Sequence, residues 1–140
     1  MSKTDITKMQ LVELRSVRKQ DIPFILATWL RGLRFGNNWY KLIHKHVYFT
    51  VYHAVIEQIL EKPQTTVTIA CLKDDPDVIL GFVVYENARL HWVYVKQAWR
   101  KIGIAKSLVP DTITVVSHLT EVGKALMLKK NLAFNPFFLI

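Results

Sequence analysis

Leu90-His91-Trp92-Val93-Tyr94-Val95 is an apolar, aromatic run with the composition of a strand. Arg100-Lys101-Ile102-Gly103-Ile104-Ala105 behind it is a basic, glycine-bearing turn into a helix predicted over Ile104 to Val109. The first N–H groups of a helix lack internal acceptors, and the aligned peptide dipoles place positive charge there. A strand, a basic turn and a helix start in that order make a ready anion site.

Outward from this segment the punctuation is clear. Glu86-Asn87 turns the Leu90 strand back onto Val78 to Tyr85, which contains Ile79-Leu80-Gly81-Phe82. The Asp74-Asp75-Pro76-Asp77 turn joins that run to Thr65 to Lys73, with Val67, Ile69 and Cys71 on one face, so the three strands form an antiparallel meander. Leu11 to Val17 alternates as a first strand. Asp21 is placed to cap a helix that has Pro23 in its first turn and ends at Gly36-Asn37-Asn38. Trp39 to Lys62 is predicted as a second helix, with Tyr48, Tyr52, Ile56 and Leu60 on one stripe and Val47, Val51, Val55 and Ile59 on the next.

After Pro110-Asp111 come a strand over Thr112 to Val116, a helix over Thr120 to Asn131 with Thr120 as N-cap, and a terminal strand over Phe134 to Ile140. The first ten residues are polar and predicted to be loose. The order is β-α-α-β-β-β-α-β-α-β. A meander followed by a β-α-β unit implies an α/β (α+β) fold with a mixed sheet and helices on both faces. One domain over residues 1–140 is expected, large enough to bury a core without metal or disulfides.

The 140 residues include 4 Trp, 5 Tyr and 7 Phe, which argues against disorder. A single cysteine, Cys71, allows no internal disulfide, and no signal-peptide pattern opens the chain, so the cytoplasm is the expected compartment. The apolar run Ile22 to Leu30 is too short for a membrane span. Net charge is +8, and two windows hold no acidic residue. Ile22 to Ile56 contains Arg31, Arg34, Lys41 and Lys45; Ala88 to Pro110 contains Arg89, Lys96, Arg100, Lys101 and Lys106. Such windows suit a polyanionic ligand or partner.

Val93 to Val109 resembles the acyl-CoA-binding motif of the GCN5-related N-acetyltransferases, Arg/Gln-x-x-Gly-x-Gly/Ala, here Arg100-x-x-Gly103-x-Ala105. Ile79 to Phe82 supports the resemblance, and the element order matches over Leu11 to Ile140. It implies a mostly antiparallel central sheet and an acetyl-CoA-dependent N-acetyltransferase that moves acetyl directly to a primary amine of a small molecule or a protein. The implied cofactor contacts are the backbone of Tyr94 and Val95 at the strand end, then Arg100, Lys101, Ile102, Gly103, Ile104, Ala105 and Lys106. Gly103 would let the phosphates approach the main chain, with Arg100, Lys101 and Lys106 supplying charge.

An amine is mostly protonated at neutral pH, so a base is required. By resemblance His91 is the first candidate and His118 the second; Tyr85 and Glu86 are placed to hold a water as base instead. Relatives carry a Tyr general acid on the last helix, but alignment puts Lys129 there and Ala133 in place of a following Gly, which leaves the acid in question. The acceptor region of the family corresponds to Trp29, Arg31, Arg34, Phe35, Asn37, Asn38, Trp39 and Tyr40. The spacing of His44, His46 and His53 is wrong for a metal, and none is expected. Cys71 has no activating neighbour in sequence, so a covalent acyl-enzyme is not expected.

Two other classes compete. One is a catalytically degenerate CoA-binding interaction module, favoured by the absent Tyr. The other is a basic nucleic-acid binder, favoured by Trp92, Tyr94 and Trp99 among the cations but lacking any known nucleic-acid motif. The apolar end Phe137-Phe138-Leu139-Ile140 fits coverage by a second copy in a homodimer.

Overall fold

The computed structural model describes residues 2–118 and 120–139. The chain runs through α1 (Lys3–Gln10), β1 (Val12–Ser16), α2 (Ile22–Phe35), α3 (Lys45–Glu61), β2 (Thr65–Leu72), β3 (Asp75–Glu86) and β4 (Arg89–Val95). It continues through α4 (Ile104–Leu108), β5 (Val115–Val116), α5 (Glu121–Lys130) and β6 (Ala133–Phe134). No helix among the described residues is long and apolar enough to cross a membrane.

Among the described residues six strands form one sheet in sequence order. β1 to β4 are antiparallel neighbours, whereas β4–β5 and β5–β6 are parallel. The mixed, mostly antiparallel sheet therefore agrees with the sequence. Alternation along the strands supplies two cores. On one face Ile69, Cys71, Phe82 and Val84 pack against Ile25, Trp29 and Leu33 of α2 and Tyr48, Ile56 and Ile59 of α3. On the other, Ala70, Leu80 and Val83 pack against Ile102, Ile104 and Leu108 around α4, with Met9 of α1 alongside.

Five boundaries differ from the sequence expectation. β3 starts at Asp75 rather than Val78, so the turn before it is Lys73–Asp74, and Asp75, Pro76 and Asp77 belong to the strand. The first residues are not loose: residues 3–10 form α1, because the Ser2 hydroxyl accepts the Asp5 N–H (3.1 Å) and caps the first turn. The second helix starts at Lys45 rather than Trp39, after a short 3₁₀ turn over Tyr40–Leu42. Its Tyr48–Ile56 stripe faces the core, whereas Val47 and Val51 are exposed. β5 is only Val115–Val116, not Thr112 to Val116. The last strand is only Ala133–Phe134 and gives way to a 3₁₀ turn over Pro136–Leu139; Ile140 lies outside the described residues. Pro136 has no N–H for a sheet ladder, and the Asn135 side chain accepts the Phe137 N–H instead (3.0 Å).

The sequence offers Asp21 as the cap of α2, but its carboxylate turns away from the helix. It accepts a two-pronged bond from Arg15 of β1 (2.8 and 3.0 Å) and the Arg18 N–H (2.7 Å), and Arg15 also donates to the Pro76 carbonyl (3.1 Å). This buried group ties β1, β3 and the entry to α2 together. The bond from Arg15 outweighs burial and holds the Asp21 carboxyl below its ordinary 3.8. A depressed carboxyl stabilises the fold above its unfolded value, and that contribution disappears as pH falls through the folded value. Asp21→Asn should cost about 2 kcal/mol, because it leaves a partly buried guanidinium without its counter-charge. Urea denaturation at pH 7 measures the loss, and the gap from wild type should shrink below pH 4.

Candidate functional site

β4 and β5 share only two rungs, Arg89↔Val115 and Leu90↔Val116, closed by the Ser117 N–H to the Leu90 carbonyl (3.0 Å). Beyond Leu90 they part. A β-bulge marks the place: Val84 pairs with Trp92 and Tyr85 with Leu90, so His91 is the extra residue on β4. The bulge thus stands three residues before Tyr94, ahead of the strand end the resemblance assigns to the cofactor. From Trp92 to Val95 the β5-facing edge of β4 has no strand beside it.

That open edge walls a groove of about 830 Å³. Phe24, Thr28, Arg31, Gly32 and Phe35 of α2 form its opposite wall, and Trp99, Arg100, Lys101 and residues 103–106 close its outer end. Gly32 permits the close approach of these walls: a Cβ there would stand 2.9 Å from the Trp92 indole. At the inner end Trp92, Val93 and Thr120 also line a smaller chamber of about 200 Å³, which Leu90, His91, Val116, His118, Gly123, Met127 and Leu132 complete.

The basic turn has the conformation an anion site needs. Lys101 (φ 67°) and Gly103 (φ 109°) are both left-handed. Gly103 precedes α4, and its carbonyl accepts the first helical bond, from the Ser107 N–H at 3.0 Å. The N–H groups of Ile104, Ala105 and Lys106 thus have no helical acceptor. Arg100 Nε donates to the Val95 carbonyl (2.7 Å), which anchors the turn to the strand end. Ile102 and Ile104 bury their side chains in the core, so they contribute main chain only.

No protein-family model matches the sequence, and no curated protein sequence matches it. Solved structures do match by shape. The candidate acetyltransferase YycN from Bacillus subtilis superposes with a TM-score of 0.55 at 11% identity, over 89% of this chain and 80% of its own. A GNAT-family acetyltransferase from Staphylococcus aureus Mu50 superposes at 0.46 and 14% identity, over 69% of this chain and 60% of that one. AAC(6')-Iy, solved with the bisubstrate analogue CoA-S-monomethyl-acetylneamine, superposes at 0.46 and 18% identity, over 89% and 90%. The chain has the GCN5-related N-acetyltransferase (GNAT) fold.

Within this GNAT fold the sequence candidates divide. Tyr94, Val95, Arg100, Lys101, Gly103, Ile104, Ala105 and Lys106 line the groove together; Ile102 does not. Arg31 and Phe35 line it as well. Trp29, expected at the acceptor site, is fully buried in the α2 core, where it stacks on Trp92 (5.9 Å between ring centres, 14° between planes). Asn38, Trp39 and Tyr40 lie outside the groove lining. Tyr40 packs on Tyr48 and Tyr52 and bonds the Tyr52 hydroxyl (3.0 Å), while Trp39 is exposed. Lys129, offered as a general acid, is exposed and lines neither groove nor chamber.

His91 is enclosed, with Nδ1 2.6 Å from Ser117 Oγ and Nε2 3.2 Å from Glu86 Oε1. With both ring nitrogens engaged it has no free lone pair for a substrate amine, which counts against its assignment as the base. Burial lowers its pKa, and the Glu86 contact only partly offsets this. Burial also works against ionisation of Glu86, but the bond from His91 and the charges of Lys62 (3.6 Å) and Arg89 (3.8 Å) overcome it and keep the carboxyl below its ordinary value. His118, the second candidate, keeps Nε2 without a partner. Its ring lies among those of Trp29, Tyr52 and Trp92. Ser117 carries no signal in the sequence, because a serine adjoining a two-residue strand has no periodicity to mark it; only its place between two histidines across the fork makes it informative.

Burial, with a smaller effect of His91, drives the His118 pKa from 6.5 to about 3. The unfolded chain then binds the extra proton first, so stability is full above pH 6.5 and declines as pH falls toward 3. Urea midpoints at pH 7 and pH 4.5 should differ less for His118→Gln than for wild type. At Gly103 an added methyl would meet nothing within 4 Å, so Gly103→Ala should cost about 1 kcal/mol through backbone strain alone. Chemical denaturation with an unchanged slope checks it.

Proposed function

We propose that the chain is an acetyl-CoA-dependent N-acetyltransferase that moves acetyl directly to a primary amine, of either a small molecule or a protein. The observation that carries this is the fork: an unpaired strand edge that leads from a left-handed basic turn to a small, mostly apolar chamber. The residues present fit acetyl-CoA. Arg100, Lys101 and Lys106, with the free N–H groups of Ile104 to Lys106, would hold the phosphates, and the space above Gly103 admits them to the main chain. The edge of Trp92 to Val95, whose last carbonyl already accepts Arg100 Nε, offers its remaining backbone donors and acceptors to an amide-bearing arm, as a neighbouring strand would. When bound, acetyl-CoA supplies an activated thioester carbonyl.

The chain's own groups then have three tasks. The groove orients the donor, the mostly apolar chamber limits access of water, and His118 accepts a proton from the amine. Lys129 is not used, and no side chain of the chain is assigned as a general acid. Arg31 and Phe35, on the α2 wall, are the acceptor-side residues that remain next to the groove. The +8 charge suits an acceptor that bears an acid group or an acidic protein rather than a polycation. The chain spans about 60% of the S. aureus structure, so activity and acceptor are proposed for this chain on its own residues.

Acetyl-CoA at 100 times its dissociation constant should stabilise the protein by about 2.7 kcal/mol. A thermal-shift series with acetyl-CoA, free CoA and duplex DNA measures this. Arg100→Ala should weaken acetyl-CoA binding about tenfold, and Gly103→Glu should abolish the shift by placing an anion in the turn. A shift with DNA and none with acetyl-CoA would reject the proposal. Thiol release from acetyl-CoA across a panel of amines then separates an enzyme from a silent CoA binder.

A further inference from the structure

Glu86, His91, Ser117 and His118 form an unbroken line of polar atoms through the base of the fork, and one end sets its direction. The Glu86 carboxylate, flanked by Lys62 and Arg89, has no proton to give. The hydrogen in its 3.2 Å contact with His91 Nε2 therefore belongs to the imidazole. Neutral His91 then has its lone pair on Nδ1, 2.6 Å from Ser117 Oγ, and accepts the only hydroxyl proton of Ser117 in preference to the Leu90 carbonyl, which lies at 3.5 Å. Ser117 is left as an acceptor toward His118 Nδ1 at 3.0 Å, so that nitrogen carries a proton. The free lone pair of His118 is on Nε2.

That atom is buried and without a partner, as are Trp29 Nε1 and Trp92 Nε1. The three rings touch one another, with centres 5.3, 5.9 and 6.3 Å apart. Buried polar atoms without partners are few in native proteins, and each calls for a reason. Here three belong to rings packed together where the strands part.

We propose that this line is a proton relay in which His118 Nε2 takes the proton shed in the reaction at the fork, while Glu86, His91 and Ser117 are positioning residues that fix the His118 tautomer and receive the charge. The inference rests on the acetyltransferase reading above. A proton that binds His118 Nε2 releases the Nδ1 proton to Ser117 Oγ, and Ser117 passes its own proton to His91 Nδ1. His118 ends neutral with its proton on Nε2, Ser117 is unchanged, and His91 is an imidazolium opposite the Glu86 carboxylate. One proton enters and one positive charge is gained. The charge rests beside an anion instead of among aromatic rings. Around the pair, Glu86 of β3 favours that charge, whereas Lys62 at the end of α3 and Arg89 of β4 oppose it; Tyr52 of α3 faces His118 as a neutral ring.

Nitrogen-15 NMR of the labelled histidines tests the relay without any substrate. At pH 7 His118 should be protonated at Nδ1 and His91 at Nε2, and on acidification His91 should become imidazolium before His118. A wild-type His118 protonated at Nε2, or His118 titrating first, would overturn the proposal. Ser117→Ala should change the His118 tautomer, and Ser117→Thr should restore it. With an amine selected by thiol release, Ser117→Ala should lower kcat roughly ten- to a hundredfold with KM for acetyl-CoA unchanged, and Ser117→Thr should recover most of it. An unchanged kcat in Ser117→Ala also overturns the relay. Failure of acetyl-CoA to bind wild type would instead remove the acetyltransferase reading and leave the tautomer result standing.

Discussion

β4 is hydrogen-bonded to β3 nearly along its length but to β5 at only two positions, so the outer edge from Trp92 to Val95 keeps its backbone polarity for something other than a strand. The cause is one extra residue. His91 in the bulge changes the course of β4 just where β5 ends at Val116, and the sheet opens instead of continuing. Groove, chamber and histidine line all occupy the space this creates. The helices on either face hold the halves of the sheet in place, with Trp29 and Leu33 on one side and Ile104 and Leu108 on the other.

The fork also separates two kinds of electrostatics. At its outer end, Arg100, Lys101 and Lys106 stand in water, where charge attracts at long range and is screened by salt. At its base, Glu86 and His91 are enclosed, and each proton position is decided by a neighbour within about 3 Å. On the function proposed above, recognition of an anion and custody of a proton fall at opposite ends of one strand, in media of different polarity.

Much of this is legible in the sequence. The meander, the Arg100–Ala105 turn and the Thr120 cap each rest on local rules, of alternation, glycine placement and side-chain capping, that act over a few residues. What the sequence conceals is set by contacts across the chain. His91 has the chemistry of a base, but its burial depends on Ser117, 26 positions away, and on the bulge opposite Val84. Trp29 suits a ligand and a core equally well, and only the stack on Trp92 decides it. The short β5 and β6 carry too few residues for any periodicity to register. Residues 3–10 read as loose because a polar composition conceals a helix that Ser2 caps and Met9 anchors.

Gly32 gives the groove a further property. Because no side chain stands between α2 and the Trp92 ring, the gap between helix and strand is a distance between a main chain and a rigid indole, itself stacked on a second indole. Rotamer changes cannot widen or narrow it. The groove therefore has a fixed floor at this point, where helix backbone and indole meet without an intervening side chain. Substitutions elsewhere along its walls would leave that floor in place.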